Sequence, residues 1–453
     1  MAFVIVAIGL AAGRGSESAS GAASAPSPVS LTEFAITGTL AVPPGGTLAV
    51  TNEGSQIHNL VIDGDGRTAD LNAGESENLV VDLAEGEYEV YCDISGHREA
   101  GMVATLQVAE GAGGGESAAG SGGGGGGAHA GHKDLSPEQA AALDEAMMAS
   151  FQPFVDQVTS GQLNTEGLGG QDLEPTILPD GTKEWTLTGE IAKWELEPGV
   201  FVDAWTFNGT VPGPTLRGEV GDRIRIRFVN DLPLGTDIHM HGMVLPNDQD
   251  GVAPLTQELV GPGEEYVYEY TVTEPAVAMY HPHAHGQMMI PNGMWGAMIF
   301  SPPGGGGSAD YTIPRGRTIS GVEIPADLEL AQEHNMVLND AGVIGLSLNG
   351  KSFPATQPYA LEQGDWMLVN YYNEGLQIHP MHLHQFPQLV VARDGIPLDQ
   401  PYWADTVNVA PGERYTVLFQ ATQPGVWVWH CHILTHAEKE DRMFGMVTAV
   451  AVS

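Results

Sequence analysis

The residues of this chain that could do chemistry are its histidines and its two cysteines, and they stand in clusters. Near the C-terminus His430, Cys431 and His432 are consecutive, followed by His436 and Met443. Near the N-terminus Cys92 precedes His97 and Met102, with His58 upstream. Between them lie His239-x-His241, His281-x-His283 and His379-x-x-His382-x-His384. One thiolate with two imidazoles and a weak axial thioether is the donor set of a copper centre that passes single electrons. His58, Cys92, His97 and Met102 supply that set, the last three within one loop-sized stretch. His379, Cys431 and His436 supply it a second time.

The remaining imidazoles need a different account. Alternate side chains of a strand share a face, so each H-x-H pair aims both rings the same way. By the same rule Cys431 points away from His430 and His432. One strand can then serve a thiolate metal on one side and imidazole-bound metals on the other. The eight imidazoles His239, His241, His281, His283, His382, His384, His430 and His432 fit a cluster of three copper ions that binds and reduces O2. A single pair is weak support; four pairs, one interleaved with a cysteine, are hard to explain by packing. Met240, Met243, Met279, Met288, Met289, Met294 and Met298 lie near the pairs. They could handle Cu(I), but methionine commonly fills irregular cores, and packing is the stronger reading.

A chain of 453 residues suggests about three domains to hold these ligands. The expected class is all-β: three β-sandwiches, with a short helix in the linker after the first. Residues 29–110 alternate short β-rich runs with turn signals and form the first sandwich. Residues 111–180 are a linker that opens Gly-rich, with six consecutive glycines and the solvated histidines His129 and His132. Within it Ser136, Pro137 and Gln139 spell a helix start, with an Ala-rich run to about Ser150. Residues 181–303 form the second sandwich, in which Arg223 to Phe228 alternates cleanly and should be half-buried. Residues 304–317 read as a hinge, and residues 318–453 as the third sandwich.

With 57 acidic against 17 basic residues the formal net charge is -40. Such a surface repels nucleic acid and anionic lipid and favours solubility or cationic partners. Two cysteines cannot make a disulfide framework. Met1 to Gly13 is apolar but too short to span a bilayer, and residues 1–28 read as the remnant of a signal or anchor with a flexible continuation. The expected location is secreted, periplasmic or on the extracytoplasmic face of the membrane.

Residues 29–110 resemble a cupredoxin of the plastocyanin and azurin type. His379-Pro380-Met381-His382-Leu383-His384 and the run from His430 to His436 resemble the two C-terminal signatures of multicopper oxidases. His239-Met240-His241-Gly242 and Tyr280-His281-Pro282-His283 resemble the two N-terminal ones. The resemblance implies a type 1 copper at His379, Cys431 and His436 and a type 2 copper at His239 and His382. It implies a binuclear type 3 site at His241, His281, His283, His384, His430 and His432, and cupredoxin-like Greek-key folds for residues 181–303 and 318–453. Asp250 matches the family's acidic residue beside the cluster, with a role in proton supply to reduced oxygen; its alternative is a turn residue before Gly251. Family members place the axial methionine closer to the last ligand histidine than either Met443 or Met446 stands here, and Met443 fits the family's ending with two residues inserted. His285 reads as a structural histidine.

The family's longer members carry three sandwiches where this chain has two, so it resembles the two-domain, small-laccase type. That resemblance implies a homotrimer with the oxygen site shared between neighbouring subunits. It further implies that a small molecule, a metal ion or a redox protein gives single electrons to the Cys431 copper, and that O2 is reduced to water. One rival is copper nitrite reductase with a fused cupredoxin, a family whose thiolate copper lies in its first domain, whereas residues 181–303 hold no cysteine. The other rival is a non-catalytic copper electron-transfer protein, which would need no set of eight imidazoles.

Overall fold

The structure, a computed structural model, describes residues 26–32, 35–54, 57–72, 74–94, 97–98, 102–109, 136–439 and 441–453. The apolar leader, the Gly-rich stretch 111–131, and the histidines His129 and His132 lie outside the described residues. Among the described residues no helix is long and apolar enough to cross a membrane.

The N-terminal unit is a sandwich of two four-stranded sheets. One contains Ser27–Thr32, Thr47–Asn52 and Ser76–Val80; the other contains Gly86–Tyr91 and Val103–Val108. Alternation along Thr47–Asn52 drives Leu48 and Val50 into the interior, and Val90 and Leu106 of the other sheet are fully buried as well.

Two further sandwiches make up the rest. In the first, one sheet runs Val200–Phe207, Lys183–Glu197, Arg223–Asn230, Glu265–Thr271. The opposing sheet runs Gly213–Glu219, Gly296–Ser301, Ala276–His281, His239–His241. The expected alternation in Arg223–Asn230 holds: Ile224, Ile226 and Phe228 are buried and the arginines between them are not. In the second, Trp366–Asn373 and Arg414–Gln420 are central to a six-stranded sheet. It faces a five-stranded sheet containing Val447–Val452, Gly425–Cys431, His379–Leu383 and Thr406–Val409.

These two sandwiches share a core. Trp194, Val211, Val277 and Trp295 of the first pack with Val337, Ile344 and Tyr372 of the second. The Trp194 indole donates to the Gly350 carbonyl at 2.6 Å. The buried Lys351 ammonium lies 4.0 Å from the Trp194 ring centre and donates to the Glu195 carbonyl at 2.6 Å. The Arg414 guanidinium crosses to the Val277 carbonyl at 2.9 Å. The segment expected to be a hinge is docked: Ala309 and Ile313 enter the core of the second sandwich, and Ser308 hydrogen-bonds Glu333. Its glycines announce flexibility, but the apolar residues after them have a surface to bury.

The helix begins where expected, with the Ser136 and Gln139 capping box in place. It runs to Ser160, ten residues further than its Ala-rich stretch, straight through Pro153. Tertiary packing sustains the extension, since Phe151, Phe154 and Val158 cover Phe353, Ala437 and Val447. Gln157 also donates to the Thr356 carbonyl at 2.8 Å.

Candidate metal centres

The strand His379–Leu383 pairs antiparallel with Gly425–Cys431, setting Met381 opposite Cys431 and His382 opposite His430. The pleat then sorts the side chains. His379, Met381, Leu383 and Cys431 go to the interior, while His382 and His430 go to the outer face. The sorting expected from alternate positions is the one observed.

On the inner side, ligand atoms of His379, Cys431 and His436 all lie within 4.8 Å of one another. The Cys431 Sγ is 3.6 Å from His436 Nδ1 and 3.8 Å from His379 Nδ1, so both rings turn the same nitrogen to the sulfur. Burial pushes the thiol up to about 12 and holds His379 and His436 down at about 3 and about 4. The imidazoles stay neutral with lone pairs available, and the thiol gives up its proton only to a cation that replaces it. The far nitrogen of His379, Nε2, faces the buried Asp340 carboxylate at 3.5 Å. Met446 is fully buried in the core cluster that contains Cys431, and its carbonyl accepts from the Cys431 amide at 3.1 Å. Met443 packs instead against the cluster of Phe154, Phe353 and Ala437.

A second group of the same composition, His58, Cys92 and His97, likewise has its ligand atoms within 4.8 Å of one another. All three are buried, as is Met102. The Asn59 amide donates to the Cys92 sulfur at 3.5 Å, and the Asn59 side chain bridges to Asp93, tying the cysteine to the segment that carries His58.

The eight paired imidazoles form two quartets. His239 sits opposite His281 across the sheet; its ring centre lies 4.9 to 5.8 Å from those of His241, His281 and His283, and those of His241 and His281 are 4.9 Å apart. In the second quartet, His382, His384, His430 and His432 are spaced 4.9 to 5.7 Å. One ring of every pair is anchored alike. Nδ1 of His239 meets the Asp250 carbonyl at 2.7 Å and Nδ1 of His281 meets the Pro282 carbonyl at 2.9 Å. Nδ1 of His382 meets the Asp405 carbonyl at 3.0 Å and Nδ1 of His430 meets the Cys431 carbonyl at 2.9 Å. A carbonyl only accepts, so each Nδ1 carries the hydrogen and each Nε2 keeps a bare lone pair.

That arrangement tests whether metal fits. His430 Nε2, a lone pair by this argument, lies 3.2 Å from His384 Nε2. Convergence of imidazole nitrogens on one point is the pattern expected of a cation site. Burial, then the neighbouring His281 and His239, holds His241 down at about 3; burial, partly offset by its carbonyl bond, holds His281 at about 4. Neutral imidazoles with oriented lone pairs suit copper. Among the described residues no ring of one quartet contacts a ring of the other, although the two sandwiches share a core. His283, His384 and His432 are exposed.

Asp250 lies beside the first quartet, with Oδ1 3.6 Å from His239 Nδ1. Asp405 has the equivalent place in the second, with Oδ2 4.0 Å from His382 Nδ1. Sequence reasoning missed Asp405, which no spacing motif marks. Met240, Met279, Met289, Met294 and Met298 are at most 3% exposed, which is core packing. His285 adopts a left-handed backbone at the start of a one-turn helix.

Comparison with known proteins agrees with this geometry. Residues 190–305 and 324–452 match two sequence models, each described as multicopper oxidase, and together they cover more than half of the chain. The blue copper oxidase of Nitrosomonas europaea superposes with a TM-score of 0.52 at 28% identity, covering 59% of this chain and 85% of that one. Laccase-2 of Botryotinia fuckeliana is 28% identical over 253 residues, 50% of this chain and 41% of its own length. A probable nitrite reductase-hydroxylamine oxidoreductase fusion protein of Kuenenia stuttgartiensis is 28% identical over 281 residues, 59% of this chain and 31% of its own length. The chain thus spans well under half the length of these two curated relatives.

Proposed function

The chain belongs to the multicopper oxidase family, and from that premise we propose that it oxidises a donor one electron at a time and reduces O2 to water, in the manner of a laccase. The two imidazole quartets carry this reading, each with one Nδ1–H of every pair anchored to a backbone carbonyl. Copper held by Cys431, His379 and His436 would accept single electrons, and copper held by the quartets would supply the four-electron chemistry of O2. The chain's part is to hold and connect these centres. Cys431 is covalently continuous with His430 and His432, so the sulfur site and the imidazole site are separated by a few backbone bonds. Asp250, with its carboxylate near His239, is placed to hand a proton to oxygen at that site.

Each quartet is half of an oxygen site. The two halves belong to different subunits in this reading, the first quartet of one chain facing the second quartet of the next. Head-to-tail contacts of this kind close as a ring, and the proposed ring is a homotrimer. Support comes from the exposed His283, His384 and His432 and from large apolar residues near the first quartet in the chain: Val244 is 60% and Leu255 83% exposed. The His58, Cys92, His97 and Met102 site would be a further one-electron copper. A nitrite reductase reading gains nothing from the geometry, because the cysteine of the oxidase part stands in its second sandwich, interleaved with the imidazole pairs.

The test is copper analysis with spectroscopy and O2 uptake on the purified full chain. The expected result is about five copper ions per chain, two of them cysteine-bound, with O2 consumed and water formed. Nitrite consumption without O2 uptake would overturn the reading.

A further inference from the structure

The first quartet is assembled from separate segments: the strand with His239 and His241, the turn through Asp250, and the chain leaving His281 toward His283. One residue, at the head of the first, bonds to the other two. Asp237 is completely buried. Its Oδ1 accepts from the His283 amide at 2.7 Å and the Ala284 amide at 2.9 Å. Its Oδ2 accepts from the Ala253 amide at 3.0 Å. Asp237 itself stands two residues before His239.

Neighbouring contacts reinforce the same junction. The Thr236 hydroxyl donates to the Ala284 carbonyl at 3.2 Å, and the Ile238 amide donates to the Tyr268 hydroxyl at 2.8 Å. Gly251 has a positive φ and packs so closely that a Cβ there would fall 1.7 Å from the Ile238 carbonyl oxygen. The turn that offers the Asp250 carbonyl to His239 is thus pressed against the strand, and the Ala253 amide ties it to the Asp237 carboxylate. A buried carboxylate is unfavourable unless donors satisfy it. Here every donor is a backbone amide of a segment that carries a ligand or the acid.

We propose that Asp237 is a positioning residue for the imidazole-bound copper, setting His283 and the Asp250 turn against His239. This rests on the reading that the first quartet holds metal. Asp237 touches no reacting atom; it acts through the backbone of the residues that do. Its two oxygens divide the task, Oδ1 holding the His283 segment and Oδ2 the Asp250 turn.

The division gives a graded test in the full-length protein. D237N keeps one oxygen for His283 and Ala284 but turns an amide toward the Ala253 amide, so it releases the turn alone. D237A releases both segments. The measurements are the affinity for imidazole-bound copper in competition with a chelator, the type 2 electron paramagnetic resonance signal, and the blue absorption of the cysteine-bound copper. The expected result is a loss of affinity of about 10-fold in D237N and about 100-fold in D237A, with a shifted type 2 signal and unchanged blue absorption per chain. The shifted signal and spared blue band separate positioning from general destabilisation, and D237N preserves the test if D237A does not fold. D237N that holds imidazole-bound copper within about twofold of the parent, with an unshifted signal, would overturn the proposal. So would equal loss of copper from the cysteine and imidazole sites. A parent chain that binds copper only at its cysteines would sink the underlying reading and this one with it.

Discussion

Replacing Cys431 with serine will remove the blue absorption of the oxidase part and stop O2 reduction by donor substrates, with turnover down by more than about three orders of magnitude. The argument is geometric. The Cys431 sulfur lies 3.8 Å from His379 Nδ1 and 3.6 Å from His436 Nδ1, and Cys431 is the link in sequence to His430 and His432 on the outer face. A serine hydroxyl keeps the size of the side chain but not the soft sulfur donor that a copper centre for single-electron transfer requires. Groups that act as a unit lose nearly everything when one is removed. The blue band of the Cys92 site will remain in this variant, because its ligands are separate. A C431S protein that turns over donor and O2 at a tenth of the parent rate would require another route for electrons.

Asp250→Asn will slow O2 reduction by about 10²- to 10⁴-fold while leaving both blue bands in place. The substitution spares what the backbone does. His239 Nδ1 donates to the Asp250 carbonyl oxygen, not to its carboxylate, so the ring keeps its orientation. What disappears is a titratable oxygen 3.6 Å from that ring. The donor will still bleach the blue absorption at the parent rate, and recovery in air will become the slow step. Recovery within about threefold of the parent would assign proton supply elsewhere, with Asp405 beside His382 the next position to test.

The ligands were legible in the sequence because metal chemistry restricts residue type and strand geometry restricts spacing. His382, His430 and Cys431 went to the faces that alternate positions assign. What escaped the sequence depends on partners far along the chain. Asp237 matters through the amides of Ala253, His283 and Ala284. Asp405 matters through its carbonyl on His382. A backbone contact leaves no mark on residue type at its other end. The helix outran its Ala-rich stretch for a related reason: Phe154 had Phe353 to pack on, with ring centres 5.0 Å apart, and burial of that size outweighs a weak helix preference. For the axial position neither methionine stands at the family's spacing and the sequence favoured Met443, whereas in the structure Met446 shares the core cluster of Cys431 and Met443 packs with the helix.

The decisive question is whether two chains build one oxygen site. Chains lacking His239 and His241 as alanines, and chains lacking His382 and His384 as alanines, will each be inactive alone. Unfolded or dissociated together and reassembled in equal amounts with copper, they will recover about a quarter of the parent O2 uptake per chain, because in a closed head-to-tail ring of mixed composition one junction joins two intact quartets. A mixture that stays as inactive as its components, while parent chains treated the same way regain full uptake, would contradict the shared site.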